Sequence, residues 1–336
     1  MSSRNIKEIL LEKIGPDILK IEQAMTDDLA QADNLHSDFL REILEFGLFN
    51  GGKRIRPLLV LVSGRLSGGG SNGLLHPAIG FEYLHAATLF HDDVIDRATE
   101  RRGRPALNHV YGEVGAILGG DYLHARAMAL VGRYGGKKGL SIFTHATTGM
   151  VDGEFLQLKN ASDFNLSEED YFKVIEAKTA LLISAACEIG SLIGGGDEEQ
   201  QNGLRQYGKA LGYAFQIVDD ILDYQGDQKK TGKAVGNDFQ EAKMTLPLIA
   251  CLQRVEPGDR KKIITLLESE PEERAHGLAD VCQLMNECGA VSYCRKRAEE
   301  SAALALEHLE LFADPGVSQE KEILTGLVEY VLKREK

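Results

Sequence analysis

Apolar residues recur at three- and four-residue intervals along nearly the whole chain, the spacing that lines one face of a helix with about 3.6 residues per turn. "EILEFGLF" (42–49), "RPLLVLVSGRL" (56–66), "VIEAKTALLISAACEIGSLIG" (174–194) and "CRKRAEESAALALEHLELF" (294–312) carry the pattern. No segment alternates apolar and polar residues as a half-buried strand does. The helical runs stop where Gly, Pro or Asn cluster: Asn50-Gly51-Gly52, Gly68-Gly69-Gly70, Gly135-Gly136, Gly194-Gly195-Gly196 and the polar stretch 226–238. The pattern predicts an all-α protein, a bundle of about a dozen helices joined by short loops. Nothing Pro-rich or repetitive marks a linker, so residues 1–336 are expected to form a single domain.

Charge narrows the function. A net charge of −13 argues against a nucleic-acid partner, and any anionic ligand then needs a local cluster of cations to reverse the field. The five cysteines, Cys187, Cys251, Cys282, Cys288 and Cys294, are odd in number. The last three are spaced six apart rather than at zinc-ligand intervals, so they read as reduced structural thiols. The N-terminal "MSSRNIKEILLEKIGPDILK" is charged throughout, unlike a signal peptide, and no later segment reads as apolar over a membrane-spanning length. A cytoplasmic protein without an integral membrane segment is expected.

One five-residue pattern occurs twice. Asp-Asp-x-x-Asp stands at 92–96 and again at 219–223. On a helix Asp92 and Asp96 lie one above the other, with Asp93 about 100° around; Asp219, Asp223 and Asp220 repeat the arrangement. Like charges at this spacing cost a helix roughly 0.2–0.5 kcal/mol per pair, a conflict that a divalent cation removes. Carboxylates without soft ligands favour Mg²⁺, which shares its coordination among one or two carboxylates, water and a substrate phosphate. A lone Asp-Asp-x-x-Asp is usually a solvated helix face. Here each set follows an apolar run ("FEYLHAATLF", "LGYAFQIV") and precedes cations: Arg101, Arg102 and Arg104 after the first, and Lys229, Lys230, Lys233 and Lys243 after the second. Aspartates for a metal with arginine and lysine for phosphate predict a diphosphate substrate. "NGGKRIRP" (50–57) adds Lys53, Arg54 and Arg56 at a glycine-rich helix entry, a second place for an anion.

Taken together, these motifs resemble the trans-isoprenyl diphosphate synthases, or polyprenyl synthetases. The resemblance runs through "GGKRIRP" (51–57), "HDDVID" (91–96), "RRGRP" (101–105), "GGDYL" (119–123), "GEFLQL" (153–158), "AKTA" (177–180), "FQIVDDILD" (215–223), "TGKAVGNDF" (231–239) and "KMTLPL" (243–248), a motif-bearing core of about 50–250. Departures are few: Ala234 stands where Pro is frequent, Ala242 where Gly often precedes the lysine, and Ala106 where a hydroxyl residue is common.

The resemblance implies an isoprenoid-synthase fold, a bundle around a deep central cavity. It implies that Asp92, Asp96 and Asp219 ligate Mg²⁺ directly, with Asp93, Asp220 and Asp223 behind them, and that three ions hold the diphosphate of an allylic substrate. Arg101, Lys178, Lys233 and Lys243 match contacts to that group. Lys53, Arg56, His85 and Arg102 match the pocket for isopentenyl diphosphate, and Thr179 and Gln216 match residues beside the reacting carbons. By residue type alone His85 reads as a hydrogen-bonded core histidine, and His91 as one that orients a carboxylate. A homodimer is implied as well, with membrane contact no more than transient during product release.

Product length is expected from the helix that carries Asp92. Ala87 and Thr88 just before the motif are small where the family uses aromatics to stop short products, and Leu84 lies one turn deeper. From Asp92 back to Leu74 that helix spans about 27 Å at ~1.5 Å per residue, room for roughly six isoprene units. A long-chain product near octaprenyl is expected. The alternatives are a short-chain synthase, a terpene cyclase or head-to-head coupling enzyme, and a non-catalytic regulatory subunit. Two complete aspartate sets and the second cation group disfavour the last three.

Overall fold

The computed structural model describes residues 6–31, 37–160, 163–225 and 236–334. Helices dominate: α1 (Ile6–Ala30), α2 (Asp38–Leu48), α3 (Ile55–Leu66), α4 (Ser71–Ile95), α5 (Leu107–Asn160), α6 (Glu168–Ile175), α7 (Leu181–Gly194), α8 (Glu198–Gln225), α9 (Asn237–Gln240), α10 (Leu246–Arg254), α11 (Pro257–Leu267), α12 (Pro271–Glu287), α13 (Ala290–Leu309) and α14 (Ser318–Leu332). The all-α expectation holds. The glycine breaks also fall where the sequence puts them, at 49–54, 67–70 and 195–197. The range given for α5 spans breaks at Gly112 (φ 76°) and Gly136 (φ 62°), where the backbone is not helical, so one helix stops and another starts at the Gly135-Gly136 pair as expected.

Three local features depart from the expected pattern, and two of them lie beside candidate site residues. The first is a hairpin, β1 (Glu100–Arg101) with β2 (Arg104–Pro105), in register Glu100 to Pro105 and Arg101 to Arg104. Its turn residues Arg102 (φ 54°) and Gly103 (φ 73°) are both left-handed, as a type I′ turn requires. Two-residue strands are too short to leave an alternation for the sequence to reveal. The second is a π-helical turn over Glu176–Ala180, between α6 and α7. The third corrects the membrane expectation. Glu168–Gly194 is long and apolar enough to cross a bilayer, but 67% of its apolar window is buried, which marks a core helix.

The chain forms two compact units. Residues 1–145, 185–205 and 311–324 make the first, and 146–184, 206–310 and 325–336 the second. In the first, α3 packs along α4, with Leu58, Leu59, Val60 and Leu61 fully buried and Phe81 edge-on to Phe143 (centroids 5.2 Å apart). In the second, α10 packs on α13 and α12 around Leu248, Cys251, Met285 and Cys294.

Candidate active site

The first aspartate set closes α4. Asp93 is buried, Asp92 is partly exposed, and Asp96 is exposed as the C-cap residue, its N–H donating to the Asp92 carbonyl at 2.8 Å. Asp93 is held from several sides. Arg101 Nε donates to Oδ1 at 2.6 Å and Asn108 Nδ2 to its backbone carbonyl at 2.8 Å. The hairpin turn thus folds back onto the helix end. Arg102, beside it, donates to the Gly51 carbonyl of the glycine-rich entry.

That entry places the other cations. Arg54 adopts a left-handed conformation (φ 50°) and turns into the protein, donating to Glu82 at 2.6 Å and to the Leu48 carbonyl at 2.7 Å. Arg54 is therefore a structural anchor, while Lys53 stays exposed. Arg56 lies next to Arg102 and Glu82; burial and the Arg102 charge lower its pKa against the opposing pull of Glu82. Its Nε has no hydrogen-bond partner among the described residues, and the buried Asn50 Oδ1 nearby is likewise unpartnered. His85, on α4, is held neutral first by burial and then by Arg56, Arg102, Arg101 and Arg54. Four guanidinium groups thus bear on one imidazole in a chain of net charge −13. Beside them a cleft of about 30 Å³ opens between Asn50, Leu89, Asp93, Arg101, Arg102 and Leu107.

The second aspartate set lies on α8. Asp220 is buried and accepts from Tyr171 Oη at 2.6 Å and Gln216 Nε2 at 2.8 Å. Burial raises its pKa well above the carboxylate norm, and Asp238 adds to the effect. A capping box at Ser167 and Asp170 starts α6 and so sets Tyr171 one turn in. Asp223 accepts from the Asp238 N–H at 3.0 Å, and burial lifts it too. Asp238 itself is pushed up to about 6, by burial and then by Asp223. Asp219 is paired with Arg334 at 3.0 Å, whose guanidinium stacks 4.6 Å from the Phe215 ring centre.

The π turn carries Lys178 and Thr179. Thr179 Oγ1 donates to Gln216 Oε1 at 2.9 Å, which links it through Gln216 to Asp220. Lys178 Nζ reaches Gln157 at 2.8 Å and Glu154 at 2.7 Å. Gly153 makes this possible: a Cβ there would lie 2.8 Å from Ala177 Cβ and 3.1 Å from the Lys178 backbone nitrogen. Lys243 is paired with Glu241 and follows Ala242, which is left-handed at φ 54°. That conformation explains why glycine is frequent there in the family the sequence resembles.

A profile of the polyprenyl synthetase family matches residues 37–285. This chain belongs to the polyprenyl synthetase family. Octaprenyl diphosphate synthase of Escherichia coli (strain K12) is 35% identical over 324 residues, which is 94% of this chain and 99% of that one. A short chain isoprenyl diphosphate synthase of Methanothermobacter thermautotrophicus is 34% identical over 95% of this chain and 98% of its own. A polyprenyl synthase from Caulobacter crescentus, solved with calcium and isoprenyl diphosphate, superposes with a TM-score of 0.86 at 33% identity over the whole of both chains. The protein is a prenyltransferase, a trans-prenyl diphosphate synthase, of a family that is in general Mg²⁺-dependent.

Within the first unit the fold brings together Arg56, His85, Asp93, Arg101 and Arg102. Within the second it brings together Thr179, Gln216 and Asp220, and ties Lys178 to its own acidic and amide partners. Lys233 lies outside the described residues. Ala87 and Leu84 are buried; Thr88 is partly exposed, and its hydroxyl donates to the His85 carbonyl at 2.8 Å. His91 Nε2 lies 3.5 Å from Asp121 and 3.2 Å from the Ile117 carbonyl, so the carboxylate beside it is outside the repeated motif. The sequence missed Tyr171 and Arg334, distant in the chain from the groups they hold. Glu82, Asp238, Glu154 and Gln157 stood in quoted stretches without a role. A separate surface groove of about 370 Å³, between Phe164, Leu166, Ile249, Leu252, Val255 and Arg260, contains none of the candidate residues.

Among the described residues no three acidic, histidine or cysteine side chains converge as a ready-made metal cage. The donor set nonetheless fits Mg²⁺. All the candidate donors are hard oxygens; in each set the middle aspartate is buried and the outer two are at least partly exposed, Asp219 and Asp223 while also held by Arg334 and the Asp238 N–H. Mg²⁺ is normally held by one or two carboxylates together with substrate phosphate rather than by an all-protein cage.

Proposed function

We propose that the protein condenses isopentenyl diphosphate head-to-tail onto an allylic prenyl diphosphate and releases a long-chain product near octaprenyl. The observation that best supports a diphosphate pocket is the convergence of Arg54, Arg56, Arg101 and Arg102 on His85. Guanidinium groups gathered in an acidic protein, among them Arg56 with an unpartnered Nε, are suited to an anion rather than to each other. Lys53, Arg56, His85 and Arg102 hold isopentenyl diphosphate. Arg101, Lys178, Lys233 and Lys243 are assigned to the allylic diphosphate, and Asp92, Asp96 and Asp219 would ligate its metals with Asp93, Asp220 and Asp223 supporting them. Bound Mg²⁺, three ions in this reading, would supply positive charge against the diphosphate oxygens.

The protein's groups act by fixing charge. Arg101, Lys178 and Lys243 favour the diphosphate as it departs with the electron pair of the allylic C–O bond. The isopentenyl alkene attacks the allylic cation to form the new C–C bond. Proton loss, with the released diphosphate as acceptor, restores a double bond. Thr179 and Gln216, fixed by their mutual hydrogen bond and by Asp220, line the path of the cation. Catalysis is electrostatic, and no side chain forms a bond to the substrate.

Length selection is assigned to Ala87, Thr88 and Leu84. Of the three, partly exposed Thr88 has room for a larger side chain, so Thr88→Phe is expected to shorten the product. The chain works as one domain over 1–336, in the cytoplasm, as a homodimer. The surface assigned to the second copy is the exposed apolar patch of the first unit made by Val114, Ile117 and Leu118, at helical spacing beyond the Gly112 kink, with Val110 before it and Phe39 on α2.

The experiment is incubation of the purified protein with labelled isopentenyl diphosphate and farnesyl diphosphate, with and without Mg²⁺, followed by sizing of the dephosphorylated products. A Mg²⁺-dependent ladder ending near octaprenol is expected, and a ladder that Thr88→Phe truncates. A ladder stopping at fifteen or twenty carbons in the wild type would make the protein a short-chain synthase. No incorporation at all would point to a cyclase or a regulatory subunit.

A further inference from the structure

Along one face of α8, Lys209, Tyr213, Gln216 and Asp220 recur at four-, three- and four-residue intervals, so their side chains leave the helix on the same side. All four engage the segment that runs from α6 into the π turn. Tyr171 donates to Asp220 and Thr179 to Gln216. The other two meet at one residue: Lys209 Nζ donates to Glu176 Oε1, and Tyr213 Oη to Glu176 Oε2 at 2.6 Å. Both oxygens of that carboxylate are engaged. Burial would raise the Glu176 pKa, but the hydrogen bonds from Lys209 and Tyr213 outweigh it and hold the carboxyl below its ordinary value.

Glu176 is also the residue that opens the π turn. Its carbonyl accepts from the Leu181 N–H, five residues on, where an α-helix would close on the fourth. Such a turn holds one residue more than an α-turn, so without it the helix beyond would be rotated by about 100° relative to α6. Lys178 and Thr179 lie inside it. Close backbone approaches seat the turn on two sides: a Cβ on Gly212 would lie 2.6 Å from Ala180 Cα, one on Gly208 2.7 Å from Ser184 Cα, and one on Gly153 3.1 Å from the Lys178 nitrogen. The glycines leave room for the turn, and the Glu176 carboxylate ties its first residue to α8.

We propose that Glu176 is a positioning residue for prenyl transfer, held by Lys209 and Tyr213 so that the π turn keeps Lys178 and Thr179 aimed at the allylic diphosphate and the reacting carbons. The inference rests on the roles proposed above for Lys178 and Thr179, and Glu176 acts through them rather than on the substrate. A partly exposed Glu–Lys pair such as this one contributes little to stability. Its loss should therefore show in the rate more than in unfolding, since a displacement of about 1 Å at a reacting group can cost up to ~10²-fold.

The test is steady-state incorporation of labelled isopentenyl diphosphate by the full-length protein with Mg²⁺ and farnesyl diphosphate, with Tm and circular dichroism measured alongside. Glu176→Ala is expected to lower kcat about tenfold while the KM for isopentenyl diphosphate, whose proposed cations lie in the first unit, stays within about twofold. Glu176→Gln keeps the side-chain length and an acceptor for one arm of the clamp, and should recover most of the loss. In a Thr179→Ala background Glu176→Ala should cost less than about threefold, because residues that act through one group are not additive. Lys209→Met and Tyr213→Phe each remove one arm and should each lower kcat about threefold, a readout that does not depend on Glu176→Ala folding. A folded Glu176→Ala enzyme with wild-type kcat, or losses from Glu176→Ala and Thr179→Ala that multiply, would overturn the inference and leave the proposed reaction standing. Wild-type activity in Lys178→Ala and Thr179→Ala would instead overturn the roles proposed for those two residues, and this inference with them.

Discussion

The same five-residue pattern is held in opposite ways at its two occurrences. At 92–96 the middle carboxylate, Asp93, is held by a cation, Arg101, from a hairpin that also carries Arg102 and Arg104. At 219–223 the middle carboxylate, Asp220, is held by two neutral donors, Tyr171 and Gln216, and burial raises its pKa. The first set sits in a positive field and the second in a low-dielectric pocket with further carboxylates nearby. The repeated pattern encodes where carboxylates stand on a helix, and the surroundings decide what holds each one. In the proposed reaction both regions offer carboxylates to the metals and cations to the diphosphates, but the first adds the guanidinium cluster around His85.

Removing an outer aspartate should have the largest effect and test whether both regions serve one reaction. Asp92→Ala and Asp219→Ala are each expected to lower kcat/KM for isopentenyl incorporation by at least ~10²-fold, as loss of an electrostatic group in a charged transition state does. A large loss for one and none for the other would break the pairing. Arg101→Ala should destabilise the fold by about 2–3 kcal/mol in denaturant unfolding, since it strands a buried Asp93; the half-exposed arginine keeps the figure below that of a fully buried pair. Tyr171→Phe should cost less, about 1–2 kcal/mol, because the neutral donor leaves behind a carboxyl that can stay protonated.

Asp238→Asn sharpens the contrast through pH. The folded pKa of Asp238 is raised to about 6 from an ordinary 3.8, so the folded chain binds more protons than the unfolded one between those values. Its contribution to stability therefore falls as pH rises through that window and stays low above it. Asp238→Asn should stabilise the metal-free protein by about 1–3 kcal/mol at pH 7.5 and flatten that part of the stability profile. Smallest of all, Ala242→Gly should raise stability by about 1 kcal/mol in the same unfolding assay, by relieving a left-handed alanine.

Much of this was open to sequence reading, and for identifiable reasons. Helix periodicity and the glycine breaks are local, so α3, α4, α7 and α13 were legible. The aspartate sets, Lys178 with Thr179, and the cations at 53–56 and 101–104 were legible as types at spacings. The hairpin at 100–105 was not, because two-residue strands carry no period. The π turn at Glu176–Ala180 was not, because the residues on either side read as one continuous helix. Arg54 looked like another substrate cation until its left-handed backbone turned it onto Glu82.

The sequence by itself determined the all-helical class, the positions of six carboxylates, and the cations set after each trio, since these depend on residue identity and short-range spacing. Only the tertiary structure decided which carboxylate of each trio is buried and which cations are structural. Those outcomes depend on burial and on partners brought close from far along the chain: Glu82 for Arg54, Tyr171 for Asp220 and Arg334 for Asp219. A pKa or an ion pair is a property of that neighbourhood, and a linear pattern does not contain it.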